Sequence, residues 1–165
     1  VRTFLLRAQS PIATNVTGEI EWSRRLEEED SNDERAVDLA SDEWKATALY
    51  DPTPRWRFRL PASYQAEREA VREEKVRSVR LEPEAAVNLA ARGRLDASVA
   101  WTRFLEQSFE RAGSFLRDRR EGFRWRVQFA YEWNSVLSSS LVYTGENLRG
   151  GDSAQQMRAE MRAFF

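Results

Sequence analysis

The sequence predicts an all-β protein, an antiparallel up-and-down meander of about eight or nine strands in one domain over residues 1–165. Three observations predict it. Apolar and polar residues alternate with period two in segment after segment, the mark of a strand with one greasy and one charged face. Turn-forming Gly, Pro and Asn punctuate those segments. No apolar run is long enough for a transmembrane helix, and mean hydropathy is -0.68.

The segments follow in chain order. Thr3 to Ile12 sets Phe4, Leu6, Ala8 and Ile12 on one face, and "ATN" turns it into Val16 to Arg24, where Val16, Gly18, Ile20 and Trp22 oppose Thr17, Glu19 and Glu21. A polar loop, "LEEEDSNDER", leads to Val37 to Tyr50, the least regular segment, with Trp44, Ala46, Ala48 and Tyr50 alternating. "DPTP" is a turn by its two prolines. Arg55 to Ala66 is clean: Trp56, Phe58, Leu60, Ala62, Tyr64 and Ala66 oppose Arg55, Arg57, Arg59, Ser63 and Gln65. A charged loop, "EREAVREEK", precedes Val79 to Ala91, where Val79, Leu81, Ala85, Val87 and Leu89 oppose Arg80, Glu82, Glu84 and Asn88.

Arg92-Gly93 is a two-residue hairpin turn, and Arg94 to Phe104 follows, with Leu95, Ala97, Val99 and Trp101 on the greasy side. A long loop, ending "FERAGSFLRDRREG", closes at Gly122. "GFRWRVQFAYEW" is the clearest strand: Phe123, Trp125, Val127, Phe129, Tyr131 and Trp133 oppose Arg124, Arg126, Gln128, Ala130 and Glu132. "NS" turns it into Val136 to Thr144, and "GENLRGGDS" reads as a glycine-marked loop. The last segment, Ala154 to Phe165, sets Met157, Ala159, Met161, Ala163 and Phe165 against Arg158, Glu160 and Arg162.

Three stretches also admit helices. Trp101, Leu105, Phe109, Ala112 and Leu116 form an amphipathic stripe, "QAEREAVREEKVR" could be a surface helix stitched by ion pairs, and the tail has Met157 and Met161 one turn apart. In the tail both periods fit, and the strand is the preferred reading.

Composition removes several functions. There are no cysteines and no histidines, which excludes disulfides, thiolate chemistry and histidine-based triads or zinc sites built from this chain alone. The formal net charge is -1 with signs interspersed, unlike a nucleic-acid surface. Carboxylate pairs such as Glu82 and Glu84 share a face, as glycosidase acids do, but such pairs are too common here to signal catalysis. No enzyme, metal or cofactor is expected.

The open question is whether the greasy face packs into a core or meets lipid. Two features point to lipid. "ATN", "DPTP", "RG" and "NS" are tight turns, while the connections between them are long and charged, as in a transmembrane barrel with short turns at one rim. The aromatics also fall at both ends of the greasy faces. Tyr50, Trp56, Phe58, Tyr131, Trp133 and Phe165 lie near the tight turns, and Phe4, Trp22, Trp44, Tyr64, Trp101, Phe123, Trp125 and Tyr143 lie near the loops. Small and aliphatic residues lie between them, so the pattern matches two bilayer interfaces. The interface residues it selects are Trp22, Trp44, Trp56, Tyr64, Trp101, Trp125, Tyr131, Trp133, Tyr143 and Phe165.

On "QMRAEMRAFF", where a terminal Phe165 follows apolar residues at alternate positions, the chain resembles bacterial outer-membrane β-barrel proteins at their C-terminal end. Ala159 and Ala163 depart from the bulkier residues common there. The resemblance implies an outer-membrane location, a lipid bilayer partner and recognition of the last strand by the barrel-assembly machinery. Other subunits of an envelope complex are additional partners in that reading. The arginines of "FERAGSFLRDRREG" could bind a ligand or lipopolysaccharide phosphates, but a loop with no specific ligand is the preferred reading. If Phe165 ends at the rim of the tight turns, the first strand runs toward that rim too. An odd count of nine then leads us to expect an upstream strand, with the chain as the C-terminal portion of a longer barrel. The alternatives are a mis-split third segment or a helical tail that leaves eight strands, with the chain a single barrel domain.

In this reading Arg55, Arg57, Arg59, Glu82, Glu84, Arg124, Arg126, Glu132, Arg158, Glu160 and Arg162 face a hydrated lumen. They would either select solutes or form a salt-bridged, solvated wall, and the wall is the preferred reading. The expected function is a pore, a translocation channel or a structural anchor of the envelope. The alternatives are a soluble antiparallel barrel or sandwich binding a lipid or other hydrophobic ligand in an apolar interior, and an α+β protein that uses the helical stretches.

Overall fold

A computed structural model describes residues 2–28, 38–69, 74–89, 92–107, 121–149, 151 and 153–163. These form one antiparallel sheet of ten strands: β1 (Arg2–Ala13), β2 (Val16–Glu28), β3 (Asp38–Thr53), β4 (Trp56–Glu69), β5 (Glu74–Leu81), β6 (Glu84–Leu89), β7 (Gly93–Gln107), β8 (Gly122–Glu132), β9 (Leu137–Leu148) and β10 (Ala154–Ala163). Each strand pairs with its neighbours in sequence, except that β5 and β6 lie end to end between β4 and β7.

β5 and β6 are one strand interrupted by proline. Ala62 pairs with Leu81 and Arg59 with Glu84, so the register against β4 runs straight through the gap; against β7, Leu81–Trp101 and Glu84–Ser98 do the same. Glu82 N donates to Pro61 O at 3.0 Å and Val99 N to Pro83 O at 3.1 Å, but neither proline can return an N–H. Among the described residues the meander therefore crosses its width nine times, the number of alternating segments in the sequence.

The tight turns have local causes. Asn15 takes φ 62°, which asparagine tolerates better than most residues, and its carbonyl accepts Asp51 N at 3.0 Å. At the β8–β9 corner Asn134 Oδ1 accepts the N–H groups of Val136 and Leu137 at 2.9 and 2.8 Å. The β7 hairpin is wider than a two-residue turn, since Leu89 pairs with Gly93 and Gly93 already belongs to the strand.

The strands run further than alternation suggests, mostly at the end away from the tight turns; β3 also runs on through Asp51, Pro52 and Thr53, so the turn expected over "DPTP" is confined to Pro54 and Arg55. Residues 65–69 and 74–77 are strand, which overturns a helix over "QAEREAVREEKVR", and 101–107 are strand, which overturns the start of the stripe from Trp101. Leu116 and the rest of that stripe lie outside the described residues. The tail is strand over Ala154–Ala163, paired along its length with β9, and "GENL" belongs to β9. Ladder pairing with an already formed neighbour outweighs the local helix propensity of these Glu-, Arg- and Met-rich stretches. The described chain is all-β and not α+β.

The usual core is absent behind the apolar face. Among the described residues the buried apolar side chains are Leu39, Val76, Val87, Ala100 and Leu148; of these only Val87, between Trp56 and Leu95, lies on the apolar face. Leu39, Val76 and Leu148 sit on the polar face, near the ends from which the long connections leave, together with buried Ser41, Gln65, Glu67, Ser78 and Thr102. β1 and β10 are edges: among the described residues β1 pairs with β2 alone and β10 with β9 alone.

Candidate functional site

The register assembles the apolar face row by row. Leu6, Trp22, Trp44, Tyr64 and Val79 lie opposite one another across β1 to β5. The next row is Ala8, Ile20, Ala46, Ala62, Leu81, Trp101 and Phe123. Toward the tight turns come Tyr50, Phe58, Ala85, Ala97, Val127 and Tyr143, then Trp56, Val87, Leu95, Phe129 and Leu141. Two aromatic bands result. Near the tight turns Tyr50–Phe58, Trp56–Phe58, Phe129–Tyr131 and Tyr131–Trp133 rings meet at 6.1, 5.7, 6.3 and 4.9 Å between centroids. At the other end Trp22–Trp44 and Trp101–Phe123 meet at 6.1 and 6.5 Å.

Charge marks the limit of this face. Among the described strands no charged residue shares the apolar face between the two aromatic bands. One step beyond Trp22 and Trp44 the face changes abruptly to Arg24 opposite Asp42, an ion pair at 3.9 Å, and Arg68 and Arg103 lie beyond Tyr64 and Trp101 on the same parity. The band spans nine residues in β4 (Trp56 to Tyr64) and in β8 (Phe123 to Tyr131). At about 3.3 Å per residue that is roughly 27 Å along the strand.

This face is open. Trp44 is 52% exposed, Leu60 47% and Met157 71%, so the tryptophans do not converge on a dry interior. In the middle of the band the methyl side chains of Ala8, Ala46, Ala48 and Ala62 and the bare backbone of Gly18 leave a shallow apolar groove of about 520 Å³, edged by Ile12, Ile20 and Leu60. Of the aromatics expected at the interfaces, Phe165 lies outside the described residues, and Tyr143, expected near the loops, lies instead opposite Val127 in the middle of the band, because β9 runs on to Leu148. Trp133 falls just past β8, its N–H donating to Leu137 O at 2.9 Å and its indole to Ser139 Oγ at 3.0 Å.

The opposite face is a ladder of charges. Arg57 pairs with Asp51 at 3.0 Å, Arg59 with Glu84 at 3.7 Å, Arg80 with Glu82 at 2.7 Å and Arg124 with Glu146 at 3.2 Å. In β10 Glu160 holds Arg162 at 2.7 Å and Arg158 at 4.0 Å. Arg55 belongs to the β3–β4 turn, and Glu132 is exposed at the end of β8. Most of the charges singled out by alternation therefore have a partner on the sheet, the arrangement of a salt-bridged wall. Arg94, bidentate on Asp96 with its closest contact at 2.7 Å, completes the ladder and was not among the selected residues. It begins its segment beside a glycine, where alternation is hardest to read.

Beyond the aromatic band the polar face closes over a small network. Gln65 Nε2 donates to Ser41 Oγ at 3.0 Å and Glu67 Oε1 at 3.1 Å; Glu67 is 2% and Ser78 1% exposed. At the outer end of β9 the hydrogen bond and charge of Glu121 push the Arg149 guanidinium above its ordinary pKa. Among the described residues no three or more acidic side chains are grouped so as to hold a metal ion. No family model matches the chain, and no curated protein or solved structure matches it.

Proposed function

We propose that the sheet is wall of a transmembrane β-barrel in a bacterial outer membrane, with the Trp- and Ala-bearing face on lipid and the arginine-bearing face on a hydrated lumen. The observation that carries this reading is the charge-free band, exposed to its surroundings, nine residues tall in β4 and β8 and edged by aromatics at both ends. Nine residues match a tilted strand crossing a bilayer, and aromatic girdles with an apolar belt between them suit the two interfaces. A face this large and apolar is costly in water. Crowding on the polar face, where Glu67 and Ser78 are buried, agrees with a coiled sheet whose polar side is concave.

β1 and β10 run in the same direction, because β5 and β6 count as one crossing. Closing the wall with antiparallel pairs then takes an odd number of further strands. The role this supports is a pore, a translocation channel or an anchor of an envelope assembly, with the bilayer as first partner. The barrel-assembly machinery is a further partner on the resemblance of the last strand; lipopolysaccharide rests on the arginines of "FERAGSFLRDRREG", of which residues 109–120 lie outside the described residues.

Refolding the chain from urea with and without phospholipid vesicles tests the reading. The expected result is co-flotation with the vesicles and protection of strand segments from protease. A monodisperse, folded monomer in plain buffer that ignores vesicles would overturn it.

A further inference from the structure

We infer that the polar face carries an anion-binding trough for small solutes bearing phosphate or another multiply charged oxyanion. The inference goes beyond the barrel reading and does not rest on it, because water reaches this face whether or not the other one meets lipid. Two adjoining depressions, of about 480 and 200 Å³, share Arg57, Ala86 and Arg94 and form one trough from the β3–β4 turn onto the sheet. In the trough the short side chains of Ala86 and Ser98 lie among the longer ones of Arg57, Arg59, Glu84, Arg94 and Arg126. Arg59, Glu84, Ser98 and Arg126 lie opposite one another in a single row across β4, β6, β7 and β8.

The charges in the trough do not cancel. Arg55, Arg57, Arg59, Arg94 and Arg126 line it against Asp51, Glu84 and Asp96, five cations to three anions. Arg57 and Arg94 are held by Asp51 and Asp96 at hydrogen-bond distance. Arg59 stands 3.7 Å from Glu84, beyond a hydrogen bond, and Arg126 donates at 2.8 Å to Gln128 Oε1, a neutral acceptor. A guanidinium carries five N–H donors in a planar fork, so both keep donors for a ligand. Forks of this kind suit the paired oxygens of a phosphoryl group. Ser98, between them in the row, adds a hydroxyl. Glu84 sits in the same row and opposes an anion, which sets the sign of one test.

Calorimetric titration of the full chain, in whichever of buffer or detergent keeps it monodisperse, tests the inference with inorganic pyrophosphate as the probe at low salt. One saturable site is expected. Exchanging a charge-assisted contact for a neutral one in Arg126→Gln or Arg59→Gln should weaken it about tenfold or more. Arg126→Lys, which keeps the charge and loses the fork, should fall between, and Glu84→Gln should bind more tightly than the parent. Arg158→Gln, outside the trough, should leave binding unchanged. No saturable binding by the parent chain overturns the inference, as does an equal loss in Arg158→Gln, which would show a diffuse field. Because the parent titration is decisive alone, a variant that fails to fold leaves the test intact. Vesicle binding is not measured, so its failure and that of the barrel reading are separate.

Discussion

Trp125 lays its indole across Gly145, the residue directly opposite it on β9; a methyl group built on Gly145 would run into the Cζ2, Cε2 and Nε1 atoms of that ring. The pair shows how an open sheet stabilises itself, with cross-strand contacts on the face taking the place of a second layer. A glycine beneath an aromatic leaves the ladder intact while the ring covers the backbone.

Gly145→Ala should therefore displace the indole. The clash is with a movable ring rather than backbone, so a loss of about 1–3 kcal/mol is expected in urea unfolding, with a shift in tryptophan emission. Unchanged emission and stability would mean that the ring does not lie over the glycine.

Gly122 is a different case. It has φ 136°, and an added Cβ would meet Asn147 O and Leu148 Cα, which are backbone atoms. Gly122→Ala should cost more than Gly18→Ala, where the nearest obstacle is the Ile12 Cδ1 methyl. Paired unfolding curves for the two variants check the order.

The lipid-facing assignment gives an asymmetric pair. Leu141→Arg places a cation inside the charge-free band and should destabilise the vesicle-bound state by about 2–4 kcal/mol. Ser140→Arg, one residue away on the polar face opposite Glu160, should change little. Equal effects in urea titrations from vesicles would contradict the assignment of faces.

Depth can be read directly. In single-tryptophan variants Trp44 and Trp133 should be quenched best by lipids brominated near the headgroup. A tryptophan at Val127 should be quenched best by bromines deep in the chain, and one at Arg126 poorly by both. Similar quenching at all four positions would remove the two-interface pattern.

Gln65 is a buried donor whose amide serves both Ser41 and Glu67. Gln65→Leu removes it, and leaving buried acceptors short of a donor should cost about 1–3 kcal/mol. Differential unfolding of Gln65→Leu against Ser41→Ala, which removes one acceptor, separates the two bonds.

Some of the fold was legible because a strand exposes its faces in one dimension. Trp56, Phe58, Leu60, Ala62 and Tyr64 announce both the element and its orientation without any partner. The strand ends were not legible. Residues 65–69 and 74–77 carry a helix-compatible pattern, and only pairing between β4 and β5 decides their state. The interruption at Glu82-Pro83 was equally hidden, since it takes Pro61 on the neighbouring strand to remove a bond from the other side.

The sequence by itself determined the period, the approximate number of crossings, roughly where the chain turns and which residues share a face, because each is a local property of residue spacing and turn chemistry. Tertiary structure alone decided the register. Register is what places Arg24 and Asp42 side by side at the limit of the apolar band, draws Arg59 and Arg126 into one row, and leaves Trp44 exposed while Glu67 is buried. Those relations depend on hydrogen-bonded partners far apart in the chain, which no spacing within a single segment encodes.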